Sequence, residues 1–76
     1  MSKTFSGKTI VHILEKYFGF DYISTRGDHV KLRRVVSGKA FTTIIPLHAE
    51  LAQGTLSGIL KLANISKKEF LEIVQK

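Results

Sequence analysis

The chain carries two hydrophobic periods, the first of which is helical. Between residues 6 and 18, apolar side chains recur with the spacing of one helix face. These are Ile10, Ile13, Leu14 and Tyr17. Ser6 is a favourable N-cap, and Gly19 suits the left-handed position that often follows a helix end. We therefore predict a helix over residues 6–18, with His12 on its solvent-exposed face.

Between residues 20 and 46 the period changes to two, which is typical of strands with one buried face. Two short turn sequences interrupt this region, Gly27-Asp28 and Ser37-Gly38-Lys39. Pro46 cannot donate a backbone hydrogen bond to a sheet and is expected to end the last strand. Three strands joined by such short connections predict an antiparallel meander.

The helical period returns in the last third of the chain. Residues 47–53 fit neither pattern and are predicted to form a loop or an irregular entry to the next helix. Gly54 or Thr55 is then expected to cap a helix that ends at Asn64, a residue that tolerates left-handed backbone. Its apolar face consists of Leu56, Ile59, Leu60 and Ala63. The segment Ser66–Glu69 has the spacing of a capping box and predicts a short final helix. The inward residues of this helix are Phe70, Ile73 and Val74.

These elements predict a single α+β domain over residues 1–76, with the order α-β-β-β-α and a short extra C-terminal helix. So few helices can cover only one face of a three-stranded antiparallel sheet, and the other face should meet solvent. Val30 and Leu32 should then point at the helices. Because neighbouring strand residues point to opposite faces, His29, Lys31 and Arg33 should share the open face.

Composition narrows the class of protein. A chain of 76 residues with 43% hydrophobic residues suits one small folded domain. The absence of cysteine excludes a disulfide scaffold and a thiolate metal site. No apolar run approaches the roughly 20 residues of a membrane span, and the first residues do not resemble a signal peptide. A cytoplasmic protein is the simplest interpretation.

Charge points to an anionic partner. The net charge is +6, and residues 26–39 contribute +4 of it through five basic residues against Asp28 alone. Nucleic acid, a membrane surface or an acidic protein would suit such a surface. A merely solvated strand face is the alternative, but the same stretch also carries a histidine.

The combination of His29 with neighbouring cations has a specific chemical use. Lysine and arginine hold phosphates without reading bases, and histidine exchanges protons near neutral pH. A histidine could take the proton of an RNA 2′-hydroxyl, and no metal or other cofactor is required. Yet a lone histidine at a strand start is more often a passive surface residue. His48, in the predicted loop, could be a second acid or base, a structural residue, or neither.

Two other motifs add little. The three histidines are too far apart in sequence to suggest metal binding. The tripeptide Arg26-Gly27-Asp28 matches an integrin-recognition motif, but three-residue matches are common by chance.

Four segments together resemble a known family. They are SGKTIVHILEKYFGF, GDH at 27–29, IPLH at 45–48 and GTLSGILKLANIS at 54–66. In this order they make the chain similar to the HicA family of toxin–antitoxin mRNA interferases, over nearly its whole length.

This resemblance implies a fold like the double-stranded RNA-binding domain and a ribonuclease that cleaves mRNA. Gly27 and His29 match the motif, with His29 as the catalytic residue. The basic sheet residues Arg26, Lys31 and Arg33 would bind the RNA backbone together with Gly27. The expected partner is a HicB-type antitoxin that covers the active face.

One position departs from the family pattern, which usually has serine or another small residue before the histidine. Asp28 stands there, and a carboxylate beside an imidazole favours the imidazolium but repels phosphate. We therefore hypothesise that Asp28 weakens the site or moves its pH optimum upward. Two alternatives to the toxin function remain open, an RNA-binding module without catalysis and a domain whose basic face docks an acidic protein.

Overall fold

The structure, a computed structural model, describes residues 4–75, which form three strands and three helices. In chain order the elements are α1 (Gly7–Tyr17), β1 (Asp21–Arg26), β2 (His29–Val36), β3 (Lys39–Pro46), α2 (Gln53–Ala63) and α3 (Lys67–Val74). The strands pair in the order β1-β2-β3, and both pairings are antiparallel. The predicted α+β class, element order and meander are confirmed.

Most helix ends lie where local sequence chemistry predicts them. The Ser6 hydroxyl accepts a hydrogen bond from the backbone N–H of Thr9 at the start of α1. Gly19 follows the end of α1 with φ +70°, and Asn64 ends α2 in left-handed backbone with φ 59°. The segment Ser66–Glu69 forms both hydrogen bonds of a capping box. These four local signals are confirmed.

The start of α2 was predicted wrongly. Its N-cap is Ala52, which has no side-chain oxygen to cap the helix, rather than Gly54 or Thr55. The preceding residue, Leu51, is buried and donates its backbone N–H to the carbonyl of Phe5 at 2.8 Å. A tertiary anchor therefore sets where this helix begins, and no local capping motif marks it.

The hydrophobic core lies between the helices and one face of the sheet. The central strand β2 contributes Val30 and Leu32, which are 5% and 0% exposed, and β3 contributes Ile45. The buried hydroxyl of Thr43 donates to the carbonyl of Ile59 at 2.9 Å and joins β3 to α2. Apolar residues of all three helices complete the core: Ile10, Ile13, Leu14, Leu56, Ile59, Leu60, Ala63 and Phe70.

The opposite face of β2 is exposed, as the alternation predicts. His29, Lys31 and Arg33 are all exposed there. The edge strand β1 is exposed along its whole length, and its pairing with β2 is irregular between Tyr22 and Ser24. The side of the sheet away from the helices is therefore open to solvent, and it carries the exposed apolar residues Val35 and Ile44 beside its cations.

Arg34 differs from the other basic residues of the central region because it points toward the helices. Its Nη1 donates to the carbonyl of Phe18 at 2.9 Å, and its Nη2 donates to the carbonyl of Ala63 at 3.3 Å. Its guanidinium lies over the ring of Phe20, 4.9 Å from the centroid. Helix C-termini carry partial negative charge. Arg34 thus fastens the ends of α1 and α2 to the sheet and is not free to bind phosphate.

We predict that Arg34→Met lowers the free energy of unfolding by about 1–3 kcal/mol, because part-buried carbonyls lose a charged donor. Arg33→Met, one residue away on the solvent face, is the matched control and should change it by less than about 0.5 kcal/mol. Urea denaturation followed by circular dichroism measures both. Equal losses in the two variants would contradict this structural role for Arg34.

Candidate functional site

The open face of the sheet brings together several of the residues proposed from the sequence. Across β1 and β2, Arg26 lies opposite His29 and Ser24 lies opposite Lys31. These four residues and Ile44 line an open depression of about 460 Å³. Arg33 lies on the same face, two residues farther along β2. The depression is thus bordered by two cations and an imidazole, which suits an anionic ligand.

The carboxylate of Asp28 contacts two imidazoles at the edge of this depression. Its Oδ1 lies 2.7 Å from Nδ1 of His29, and its Oδ2 lies 3.3 Å from Nε2 of His48. The two rings are 6.5 Å apart between centroids and nearly perpendicular, at 77°. All three side chains are more than half exposed, so water and ligands can reach them.

Backbone contacts at the end of the sheet hold this arrangement. The N–H of Leu47 donates to the carbonyl of Asp28 at 2.6 Å, which fixes the β1–β2 turn against the end of β3. The N–H of Gly7 donates to the carbonyl of His48 at 2.9 Å. A Cβ at position 7 would overlap the carbonyl oxygen of Pro46, so only glycine allows α1 to approach this closely.

The hydrogen bond with Asp28 assigns a role to each ring nitrogen of His29. A carboxylate only accepts hydrogen bonds, so Nδ1 of His29 carries the proton that points at Asp28. Nε2 of His48 lies 3.3 Å from the other oxygen of the carboxylate, as an ion pair when the ring is charged. Nε2 of His29 is then left with a free lone pair when the ring is neutral. This is the arrangement in which a histidine can act as a base while a carboxylate orients it.

Electrostatics favour the ionised form of Asp28. Desolvation works to raise its pKa, but the hydrogen bond and charge of His29, and the charge of His48, outweigh that effect. The pKa of Asp28 therefore lies below its ordinary value of 3.8. A carboxylate in this state can pair with one imidazolium at neutral pH.

The remaining sequence candidates lie in different places. Gly27 is in the β1–β2 turn with φ +60°, and a Cβ added there would meet no atom within 4 Å, so its backbone conformation is what favours glycine. His12 is exposed on α1 and lines a separate groove with Phe5 and Ile73. It belongs to the helix surface, as the pattern of α1 predicts.

The contact between Asp28 and His48 was not predicted. Asp28 was expected to act on the neighbouring His29, and His48 was considered as a loop residue with three open roles. Asp28 and His48 are 20 positions apart in sequence, and only the return of β3 to the β1–β2 turn brings them together. The one available signal was the closeness of both residues to strand ends.

Other kinds of site find little support in residues 4–75. Within that range, no group of three or more histidine, cysteine, aspartate or glutamate residues could hold a metal ion. No helix there is long and apolar enough to cross a membrane.

Comparison with known proteins gives one family match. The family described as the HicA toxin of bacterial toxin–antitoxin systems matches residues 7–65. The matched region extends from the first residue of α1 to just beyond α2, and so contains Asp28, His29 and His48. No curated protein matches the chain.

We predict that the carboxyl of Asp28 titrates below 3.8 in the folded protein, and that its pKa rises toward that value in His29→Ala. The stabilisation it provides should be present above the ordinary pKa and lost as the pH falls through the lowered one. Carbon-detected NMR of the carboxyl groups measures this. Glu69, whose pKa is lowered by hydrogen bonds with Ser66, is an internal control that His29→Ala should leave unchanged. An unchanged Asp28 midpoint in this variant would contradict the assigned contact.

Proposed function

The chain belongs to the HicA toxin family and is a toxin of the toxin–antitoxin type, and we propose that it is a metal-independent endoribonuclease that cleaves mRNA. His29 is its catalytic acid/base. The observation that carries this proposal is the placement of His29, which lines a cationic depression while Asp28 holds its Nδ1. A histidine on a plain solvated face would have neither the oriented ring nor the neighbouring cations.

The proposed reaction uses the 2′-hydroxyl of RNA as the nucleophile. Nε2 of His29 removes the hydroxyl proton, and the oxygen attacks the adjacent phosphorus. Arg26 and Lys31 border the same depression and stabilise the negative charge that grows on the phosphate oxygens. DNA has no 2′-hydroxyl, so the same site would bind DNA without cleaving it.

The open sheet face supplies the proposed RNA-binding surface. Arg26, Lys31 and Arg33 point to this face from two adjacent strands, and Gly27 lies in the turn beside them. Such cations position a phosphate backbone without recognising bases. A binding module of the double-stranded RNA type is less well supported, because the first basic residue of α2 is Lys61, in its last turn.

The proposed protein partner is an antitoxin of the HicB type, acting in the cytoplasm. Membership of a toxin–antitoxin family implies an antitoxin. Acidic side chains on such a partner would complement the cations around His29 and exclude RNA from the depression.

We predict that expression of the chain stops bacterial growth with loss of intact mRNA, and that His29→Ala abolishes both effects. Purified protein should cleave RNA equally well in EDTA, and general acid–base catalysis predicts a loss of about 10²–10⁴-fold for His29→Ala. His12→Ala, an exposed histidine on α1, is the matched control and should keep full activity. Toxicity that survives in His29→Ala would refute the catalytic assignment. A harmless parent chain that still binds RNA or an acidic protein would favour a non-catalytic module.

We predict that Lys31→Gln with Arg33→Gln weakens RNA binding and reduces its salt dependence. Each lost phosphate contact should lower the slope of log affinity against log salt by about 0.7 on single-stranded RNA. Fluorescence anisotropy in the non-cleaving His29→Ala background measures this slope. Lys61→Gln with Lys68→Gln removes the same charge from the helical side and is the matched control. An identical slope in the two double variants would place the RNA elsewhere.

A further inference from the structure

The proposed function uses one imidazole, but the structure places two around a single carboxylate. Asp28 gives one oxygen to each ring, at 2.7 Å for His29 and 3.3 Å for His48. His48 lies outside both the sheet and the resemblance-based catalytic assignment. Its ring is exposed and its backbone carbonyl is fixed by Gly7, so the side chain is held beside the site but remains accessible.

We propose that His48 is the second catalytic group, the general acid that protonates the leaving 5′-oxygen, and that Asp28 is the positioning residue that orients both imidazoles. This inference rests on the proposed ribonuclease function and identifies the group that completes its chemistry.

Cleavage through the 2′-oxygen requires two proton transfers. Nε2 of His29 takes the proton from the 2′-hydroxyl while the O2′–P bond forms. The P–O5′ bond then breaks, and the 5′-oxygen takes a proton from Nδ1 of the His48 imidazolium. The products are a 2′,3′-cyclic phosphate and a 5′-hydroxyl, with His29 charged and His48 neutral. Proton exchange with water restores the starting state.

The separation of the two rings suits this division of work. In an in-line displacement, the entering and leaving oxygens lie on opposite sides of phosphorus. The base and the acid must therefore reach one phosphodiester from two sides, each through a hydrogen bond. The ring centroids of His29 and His48 are 6.5 Å apart, so the two rings are neighbours with separate positions beside Asp28.

The contacts with Asp28 leave one nitrogen of each ring free. Nε2 of His48 is the nitrogen near Oδ2, at 3.3 Å, so Nδ1 of that ring is the nitrogen available to give up a proton when the ring is charged. Nδ1 of His29 donates to Oδ1, so Nε2 of that ring has the lone pair. The carboxylate balances one positive charge, which matches one charged and one neutral ring.

The other cations near the depression are poorer acids. An arginine guanidinium stays protonated in proteins, and lysine amines ordinarily hold their proton far above neutral pH. Arg26, Lys31 and Arg33 can therefore stabilise charge on phosphate, but an imidazolium releases its proton much more readily. His48 is therefore better suited to act as the acid than any of these cations.

The decisive experiment compares leaving groups. A short RNA is cleaved at its internal phosphodiesters, where the 5′-oxygen needs a proton, and the same RNA ending in a 3′-(4-nitrophenyl) phosphate releases nitrophenolate, which needs none. His48→Ala should lose about 10²–10⁴-fold on the internal bonds but stay within about threefold of the parent on the nitrophenyl ester. His29→Ala should lose activity on both substrates.

A second variant tests the role of Asp28. The amide of Asp28→Asn offers one acceptor oxygen, so it can orient only one of the two rings as Asp28 does. We expect kcat on RNA to fall at least about tenfold with KM nearly unchanged, since the role is in proton transfer. The pH profile should also change, because the substitution removes the negative charge beside both imidazoles. His48→Gln, which keeps a polar side chain of similar reach, should behave like His48→Ala.

The outcomes separate this inference from the proposed function. If the parent cleaves RNA and His48→Ala keeps the parental rate, or loses equally on both substrates, His48 is not the acid. A kcat and pH profile unchanged in Asp28→Asn would overturn the positioning role. A folded parent that cleaves neither substrate would refute the ribonuclease function itself, and this inference with it.

Discussion

The central strand β2 alternates between side chains on the buried face of the sheet and side chains on its open face, and the rest of the structure depends on this alternation. Val30 and Leu32 pack against the helices, while His29, Lys31 and Arg33 point into solvent. A shift of one residue in register would exchange these two sets and bury the cations. The free energy needed to bury an unpaired charge is larger than the free energy that packing in the core would gain. The same alternation that stabilises the fold therefore also fixes the cationic face.

Much of the fold follows from such local rules, and its exceptions have tertiary causes. The caps at Ser6 and Ser66–Glu69 and the left-handed stop at Asn64 were predictable because each involves neighbours in sequence. The start of α2 was not predictable, since Leu51 is anchored by a residue near the N-terminus. Arg34 is similar: within a basic run it resembles its neighbours, but it binds carbonyls at the ends of two helices.

The candidate site likewise has one part that local sequence patterns predict and another part that depends on tertiary contacts. The side of the sheet on which His29 and its cations lie follows from period-two alternation and needs no long-range information. The contact between Asp28 and His48 depends on the path of the chain after Pro46, which local sequence patterns do not determine. That path is set by a close backbone approach in which Gly7 meets the Pro46–His48 segment. A glycine at the start of a helix thus has a consequence for the geometry of two imidazoles far along the chain.

The position of Asp28 also bears on the hypothesis that a carboxylate beside His29 weakens the site. Asp28 contacts His29, which lines the depression, so its charge lies close to any phosphate bound there. Its two oxygens lie against the rings of His29 and His48. The Asp28 carboxylate attracts a charged His29 ring directly, at 2.7 Å. Its repulsion of a phosphate in the depression is opposed by the positive charges of Arg26 and Lys31.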